Sequence, residues 1–274
     1  MGNKILVSVF DTEPAAFEGL AALKALHKSH DITVYATSVI VKDRSGAVAI
    51  RQTAEKGPLG TLLGAITGGL VGLLGGPAGA AVGAYLGGFG GMTYDLFKAG
   101  VGMDFVDEVG ALLIPGKAAV IADVDETWVA PVNPRLGALG GTTFRRLPGE
   151  VIDEQMVRES AAAEQELAEL KAELKESSDE TKANLKASVE KQKRKLQATS
   201  DQIQKRIDET DAELDARLAT LHKQQAEAHD RHRARIDARI KELEAAQAAR
   251  KAKLTEARRL AEQSVEVASE ALVS

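Results

Sequence analysis

The sequence predicts an α+β domain with an uncharged helical hairpin inserted into it, followed by a long segment that is helical throughout. Three observations lead there. Short β-type runs alternate with an amphipathic helical run in the first fifty residues. Pro58 to Met92, thirty-five residues, contains no charge. Glu150 to Ser274 contains no glycine, proline or aromatic residue.

Lys4 to Phe10 (KILVSVF) is a β-type run, and Glu13 to Lys28 carries Phe17, Leu20, Leu23 and Leu26 along one helical face. Ile32 to Val41 and Ala47 to Gln52 are rich in β-branched residues. Between them Lys42-Asp43-Arg44-Ser45-Gly46 has turn chemistry, so the two runs pair as a hairpin. Beyond the uncharged stretch, Asp104 to Leu113 has helical spacing and stops at Pro115-Gly116. Ala118 to Val124 is a further strand, Pro131 to Leu139 a short helix, and Thr142 to Leu147 an edge strand. The order β-α-β-β-α-β is that of a ferredoxin-like sandwich. The expected first domain is 1–148, with 58–92 inserted between its third strand and second helix.

The insert carries two glycine ladders at a spacing of four: Gly60, Gly64, Gly68, Gly72, Gly76, then Gly75, Gly79, Gly83, Gly87, Gly91. That spacing puts each ladder on one helix face, forming a groove into which another helix backbone sinks. Pro77 breaks the helix between them and marks the hairpin turn. A glycine costs about 0.8 to 1 kcal/mol against alanine in a helix interior, so close packing must offset the ladders. Each arm is roughly 26 Å long as a helix, just short of a ~30 Å hydrocarbon core. A glycine-zipper hairpin entering a membrane is the leading expectation, and a zipper buried in a soluble homo-oligomer is the alternative. Arg51 and Lys56 before the hairpin and Lys98 after it favour keeping both ends cytoplasmic.

KILVSVFD, VIVKDRSGAVAIRQ, the glycine-rich insert, DFVDEVGALLIPGKAAVIADV and LGALGGTTFRRL, in that order, resemble a bacterial family of predicted membrane proteins defined only as a domain of unknown function. The resemblance covers residues 3–147. It implies a ferredoxin-like fold with a glycine-zipper insert and supplies no catalytic residues.

Residues 149–274 are dominated by strong helix formers. An apolar stripe steps by eleven through Leu174, Leu185, Leu196, Ile207, Leu218, His229 and Ile240. A second ladder holds Ile203, Leu214, Gln225 and Ile236, and a third Leu221, His232, Leu243, Leu254 and Val265. Eleven residues in three turns predict a coiled-coil stalk that is nearly straight or slightly right-handed. Ser177-Ser178-Asp179-Glu180 has the chemistry of a helix start, which places a break near 177–180. A helix lying flat on lipid is disfavoured, because the segment has 23 basic against 27 acidic residues and no aromatic anchor.

Chemistry has few footholds. There is no cysteine, the net charge is −5, and no phosphate-loop ending follows the glycines. Nucleic acid is therefore not an expected partner, and no cofactor or metal site is expected. Gln225, His229 and His232 fall on the three ladders as one polar layer, expected to fix register. His222 lies off the seam. Asp104, Asp107 and Glu108 open a helix; Asp123, Asp125 and Glu126 are expected as a solvated acidic turn, and Trp128 as a core or interface residue.

The function expected from this is that of a non-enzymatic structural protein. It self-assembles at the inner face of the cell membrane through the zipper hairpin, with membrane lipid and further copies of itself as partners and the stalk giving reach. A soluble cage, ring or filament is the alternative, and a small-molecule sensor on the ferredoxin-like sheet a third reading.

Overall fold

The computed structural model describes residues 3–52, 57–75, 103–126, 131–146, 150–176 and 179–273. The chain forms two compact units, Met1–Ile152 with Ala212–Ala245, and Asp153–Asp211 with Ala246–Ser274.

In the first unit β1 (Lys4–Phe10), β2 (Thr33–Lys42), β3 (Val48–Gln52), β4 (Ala118–Asp125) and β5 (Thr142–Arg146) form one sheet in the order β3-β2-β4-β1-β5. Every neighbouring pair is antiparallel. Helix α1 (Glu13–Lys28) connects β1 to β2, which run parallel with one strand between them. A ferredoxin-like sheet would put the third strand in that gap. Here β4 fills it, and β3 goes to the edge.

The residues explain the difference. All eight residues of β4 are buried, as its run AAVIADVD allows for a strand covered on both faces. β3 is short and carries exposed Arg51, which suits an edge. The β2–β3 turn is held by Asp43, whose carboxylate accepts from the backbone N–H of Ser45 (2.8 Å) and Ala47 (3.0 Å).

One sheet face packs under α1 and α4 (Val132–Gly137), with Leu6, Val39, Val120 and Val124 meeting Leu20, Leu23 and Leu26. Thr12 caps α1 by accepting from the Ala15 N–H at 3.3 Å. The other face packs under α2 (Pro58–Leu74) and α3 (Met103–Leu112), where Val7, Ile40 and Ile121 meet Leu63, Ile66, Leu70, Phe105 and Val109.

The glycine-rich first arm is thus a core helix of its own chain. Its leucine face, expected to meet lipid or another copy, lies on the sheet. Gly60, Gly64, Gly68 and Gly72 sit on α2; Gly68 and Gly72 are buried, and Gly60 and Gly64 half-buried. The turn at Pro77 and the rungs Gly76, Gly79, Gly83, Gly87 and Gly91 lie outside the described residues, as does Trp128. Among the described residues no helix is long and apolar enough to cross a membrane.

The last three helices are α5 (Glu150–Glu176), α6 (Asp179–Glu227) and α7 (Asp230–Val273). In the second unit α5 and α7 run antiparallel to α6: Gln192 donates to Ala163 O, Arg258 to Gln204, and Leu174, Leu185 and Ala271 cluster. The apolar stripe is therefore covered within the chain.

On α6 the expected step of eleven is seen at buried Leu185, Leu196 and Ile207, but α5 and α7 differ from it. In the second unit the buried positions on α5 are Asp153, Met156, Ser160, Ala163, Leu167 and Leu174, and on α7 they are Leu254, Ala257, Ala261, Ser264, Ala268 and Ala271. Steps of three and four alternate, which is a seven-residue repeat and a left-handed packing geometry. Counting only leucine and isoleucine conceals it, because much of the seam is Ala and Ser. Inside this seam Asp153 accepts from Arg250 and pairs with Arg206 at 3.6 Å.

Glycine is required elsewhere than on the zipper rung Gly64. Among the described residues a Cβ at Gly64 meets nothing within 4 Å, whereas one at Gly141 meets Phe10 Cε1 at 2.6 Å, Ser8 Oγ at 2.7 Å and the Leu136 carbonyl at 2.8 Å. In urea unfolding, Gly64→Ala should stabilise by up to about 1 kcal/mol. Gly141→Ala should destabilise by roughly 1–3 kcal/mol.

Candidate functional site

The first unit contains a buried layer of charged and polar side chains where the ends of α6 and α7 meet the sheet. Alternation along β4 puts Asp123 and Asp125 on the same face as Ala119 and Ile121. All of Asp123, Asp125 and Glu126 are buried. The expected solvated acidic turn is instead a set of buried carboxylates, because cations from other elements pair with Asp123 and Glu126.

Arg217 of α6 grips Asp123 with both guanidinium ends, Nη1 to Oδ1 at 3.0 Å and Nη2 to Oδ2 at 2.6 Å. With its amide oxygen toward the guanidinium, Asn3 accepts from the same two nitrogens at 3.0 and 3.1 Å. The Arg217 guanidinium also lies 4.7 Å from the centroid of the Tyr35 ring. Tyr35 reaches it because the β2–β4 register shifts between Val34 and Ala36, a bulge that turns Tyr35 and Ala36 toward the same core. Burial works against the Arg217 charge, but Asp123 outweighs it and raises the pKa above the ordinary value.

Asp125 differs. Burial pushes its carboxyl up from the ordinary range, against the pull of Arg239 and Arg217. Burial, reinforced by Asp125, also drives the Tyr35 phenol well up, and the Tyr35 hydroxyl has no hydrogen-bond partner among the described residues. Glu126 accepts from Arg145 of β5 and lies 3.6 Å from Lys4 Nζ, and Arg145 donates onward to Asn133 at 2.8 Å.

Next to this layer, α6 and α7 read the backbone of the α1–β2 loop. Gln224 Nε2 donates to His27 O (2.9 Å) and Ile32 O (2.8 Å), and Gln224 Oε1 accepts from Thr33 Oγ1 at 2.6 Å. Arg239 Nη2 donates to Asp31 O at 2.7 Å, and its Nη1 to Thr33 Oγ1 at 3.3 Å. Arg217, Gln224 and Arg239 were not singled out by sequence reasoning. The signal was present: the repeat Val189, Leu196, Ile203 continues at seven through Thr210, Arg217 and Gln224, all buried. Polar residues on a seam mark a polar partner.

The polar layer expected from Gln225, His229 and His232 is not assembled. Gln225 donates to Asp237, His229 is exposed between α6 and α7, and the His232 ring stands 6.0 Å from that of His30. The break at Ala228–His229 is what separates them, since the seam does not run through His229 as a continuous helix. His222 is exposed. Asp104 and Glu108 pair with Arg146, at 3.3 and 2.9 Å, and Asp107 is exposed. Among the described residues no three His, Asp or Glu side chains form a group that could hold a metal ion. The arrangement is a latch, with carboxylates and carbonyls of the sheet side gripped by guanidinium and amide groups of the helices.

Residues 61–169 match the family described as Protein of unknown function (DUF1269). The match runs from α2 into α5. It therefore includes the start of the helical segment, which sequence reasoning placed outside the shared region, and leaves out β1 to β3. No curated protein and no solved structure matches the chain.

Tyr35→Phe removes a buried hydroxyl that has no partner among the described residues, while keeping the ring under Arg217. It should leave stability unchanged or raise it by about 1 kcal/mol in urea unfolding. Asp125→Asn removes a carboxylate whose folded pKa is raised. Such a group supports the fold below its ordinary pKa, and that support is lost as pH rises through the folded value. The variant should therefore gain stability relative to the native chain at pH 7, and the gain should shrink on acidification toward pH 4.

Proposed function

We propose that this chain is a non-enzymatic scaffold that self-assembles at a membrane, attached by the second half of its uncharged segment. The supporting observation is how Pro58–Met92 divides. Its first half, α2, packs its leucines on the sheet, which roots the segment in the folded unit. Its second half, 76–92, continues without a charge and carries Val82, Tyr85, Leu86 and Phe89. As a helix it would be about 26 Å long, enough to enter the hydrocarbon region. Arg51, Lys56 and Lys98 flank the segment and favour the inner face of the cell membrane. The latch holds 212–245 on the sheet, so that this stretch and the membrane attachment act as one part.

The second reading, a soluble homo-oligomer, is favoured by Gly64, which is half-buried and, among the described residues, has open space where its Cβ would be. That rung has room to receive another helix backbone.

Flotation of the full chain with liposomes separates the two. Leu86→Glu with Phe89→Glu should reduce flotation at least tenfold, since a charge at mid-membrane costs about 2.5–3.5 kcal/mol. Equal flotation of native chain and variant would remove the membrane reading. A high-mass, lipid-free particle that Gly64→Leu breaks apart would establish the second reading in its place.

A further inference from the structure

We propose that mild acidification releases the α6–α7 end from the α1–β2 loop through His27, whose neighbour His30 packs against His232 of α7. The proposal concerns the latch and stands whether or not the chain meets a membrane.

His30 is the one non-glycine residue with positive φ among the described residues, at 61°. It follows α1 where Asp31 N–H bonds back to Leu26 O at 3.1 Å and His30 N–H to His27 O at 3.0 Å. Glycine is the usual occupant of such a left-handed position, because a Cβ there costs energy. The imidazole must therefore be accounted for by its contacts. Its ring lies 6.0 Å from that of His232 on α7, tilted by 54°, and its Nδ1 is buried with no hydrogen-bond partner among the described residues.

His27 supplies the second part. Its Nδ1 accepts the Val34 backbone N–H at 3.1 Å, and Gln224 Nε2 lies 3.5 Å from the same nitrogen. Only an unprotonated Nδ1 can accept; a proton there turns it toward two donors. The charged groups acting on His27 are mostly adverse to its cation. Lys223 of α6, Arg239 of α7 and His30 of the loop oppose it, and Glu227 of α6 favours it. Asp31 is engaged on both sides, its carboxylate by Ser29 Oγ at 2.7 Å and its carbonyl by Arg239 at 2.7 Å.

Burial first, and then His30, lower the His27 pKa from its ordinary 6.5. A histidine held neutral in the docked form supports docking fully above pH 6.5. That support is lost as pH falls below 6.5 toward the lowered value. Each proton taken up on release multiplies the opening constant about tenfold per pH unit. Asp125, with its raised carboxyl, faces Arg239 and acts in the opposite sense, gaining a proton in the docked form as pH falls.

Hydrogen exchange of the full chain tests this, read as protection factors at pH 7.5 and pH 5.5. Amides in Ala212–Ala245 should lose protection at least tenfold at the lower pH, while those in 246–273 keep theirs. His27→Asn retains an acceptor near the Nδ1 position without titrating, and His30→Gly removes a ring while relieving the positive φ. The double variant should show less than a threefold loss. If it does not fold, His30→Gly alone should show a smaller loss than the native chain. Equal protection of the native chain at both pH values, a loss that spreads equally to 246–273, or an undiminished loss in the variants would each overturn the proposal.

Discussion

The bidentate grip of Arg217 on Asp123 is the contact on which the first unit depends. Asp123 sits on the central strand, facing a core of Val7, Ile40 and Ile121, and it is fully buried. A carboxylate in that position without a cation would be very costly, since desolvating a charge costs several kcal/mol even after relaxation. The guanidinium is supplied from a segment 94 positions away in sequence. The sheet is consequently incomplete without the helical segment, and 212–245 belongs to the sheet unit rather than to a separate stalk.

Buried ion pairs of this kind add little net stability compared with apolar residues of the same shape, but they penalise every wrong arrangement. A shift of α6 by one residue would remove Arg217 from Asp123 and Gln224 from the carbonyls of His27 and Ile32 together. The latch thus fixes register, the role that sequence reasoning gave to Gln225, His229 and His232. It does so with side chains that answer to the sheet rather than to another helix. Leu221, Ala228, Ile236 and Ile240 close the same contact with apolar surface.

What was legible in the sequence follows local chemistry. β1, α1, the β2–β3 hairpin and β4 are set by alternation, a Thr12 cap and an Asp43 turn, all readable within a few residues. The sheet order was not, because it depends on which strand is apolar on both faces; AAVIADVD shows that only when its two aspartates are recognised as buried. The glycine ladder was legible as a packing signal, but not its partner: α2 packs on the sheet. The helical half was legible as helix. Its eleven-residue step was legible at Leu185, Leu196 and Ile207 of α6; the seven-residue seam was not, because Asp153, Ser160, Ala257, Ser264, Arg217 and Gln224 occupy seam positions that a leucine count passes over. The site was missed for the same reason. Acidic residues at a strand end read as solvated until a cation from a distant helix is placed on them.

A double-mutant cycle on Asp123 and Arg217 tests the latch most directly. With stability measured in urea for Asp123→Asn, Arg217→Met and the pair, each single change should cost about 3–5 kcal/mol, since each leaves a buried polar or charged partner. The pair should cost much less than the sum, with a coupling of roughly 2 kcal/mol or more. Additive effects, with a coupling within about 0.5 kcal/mol of zero, would contradict the account, because the two side chains would then not depend on each other.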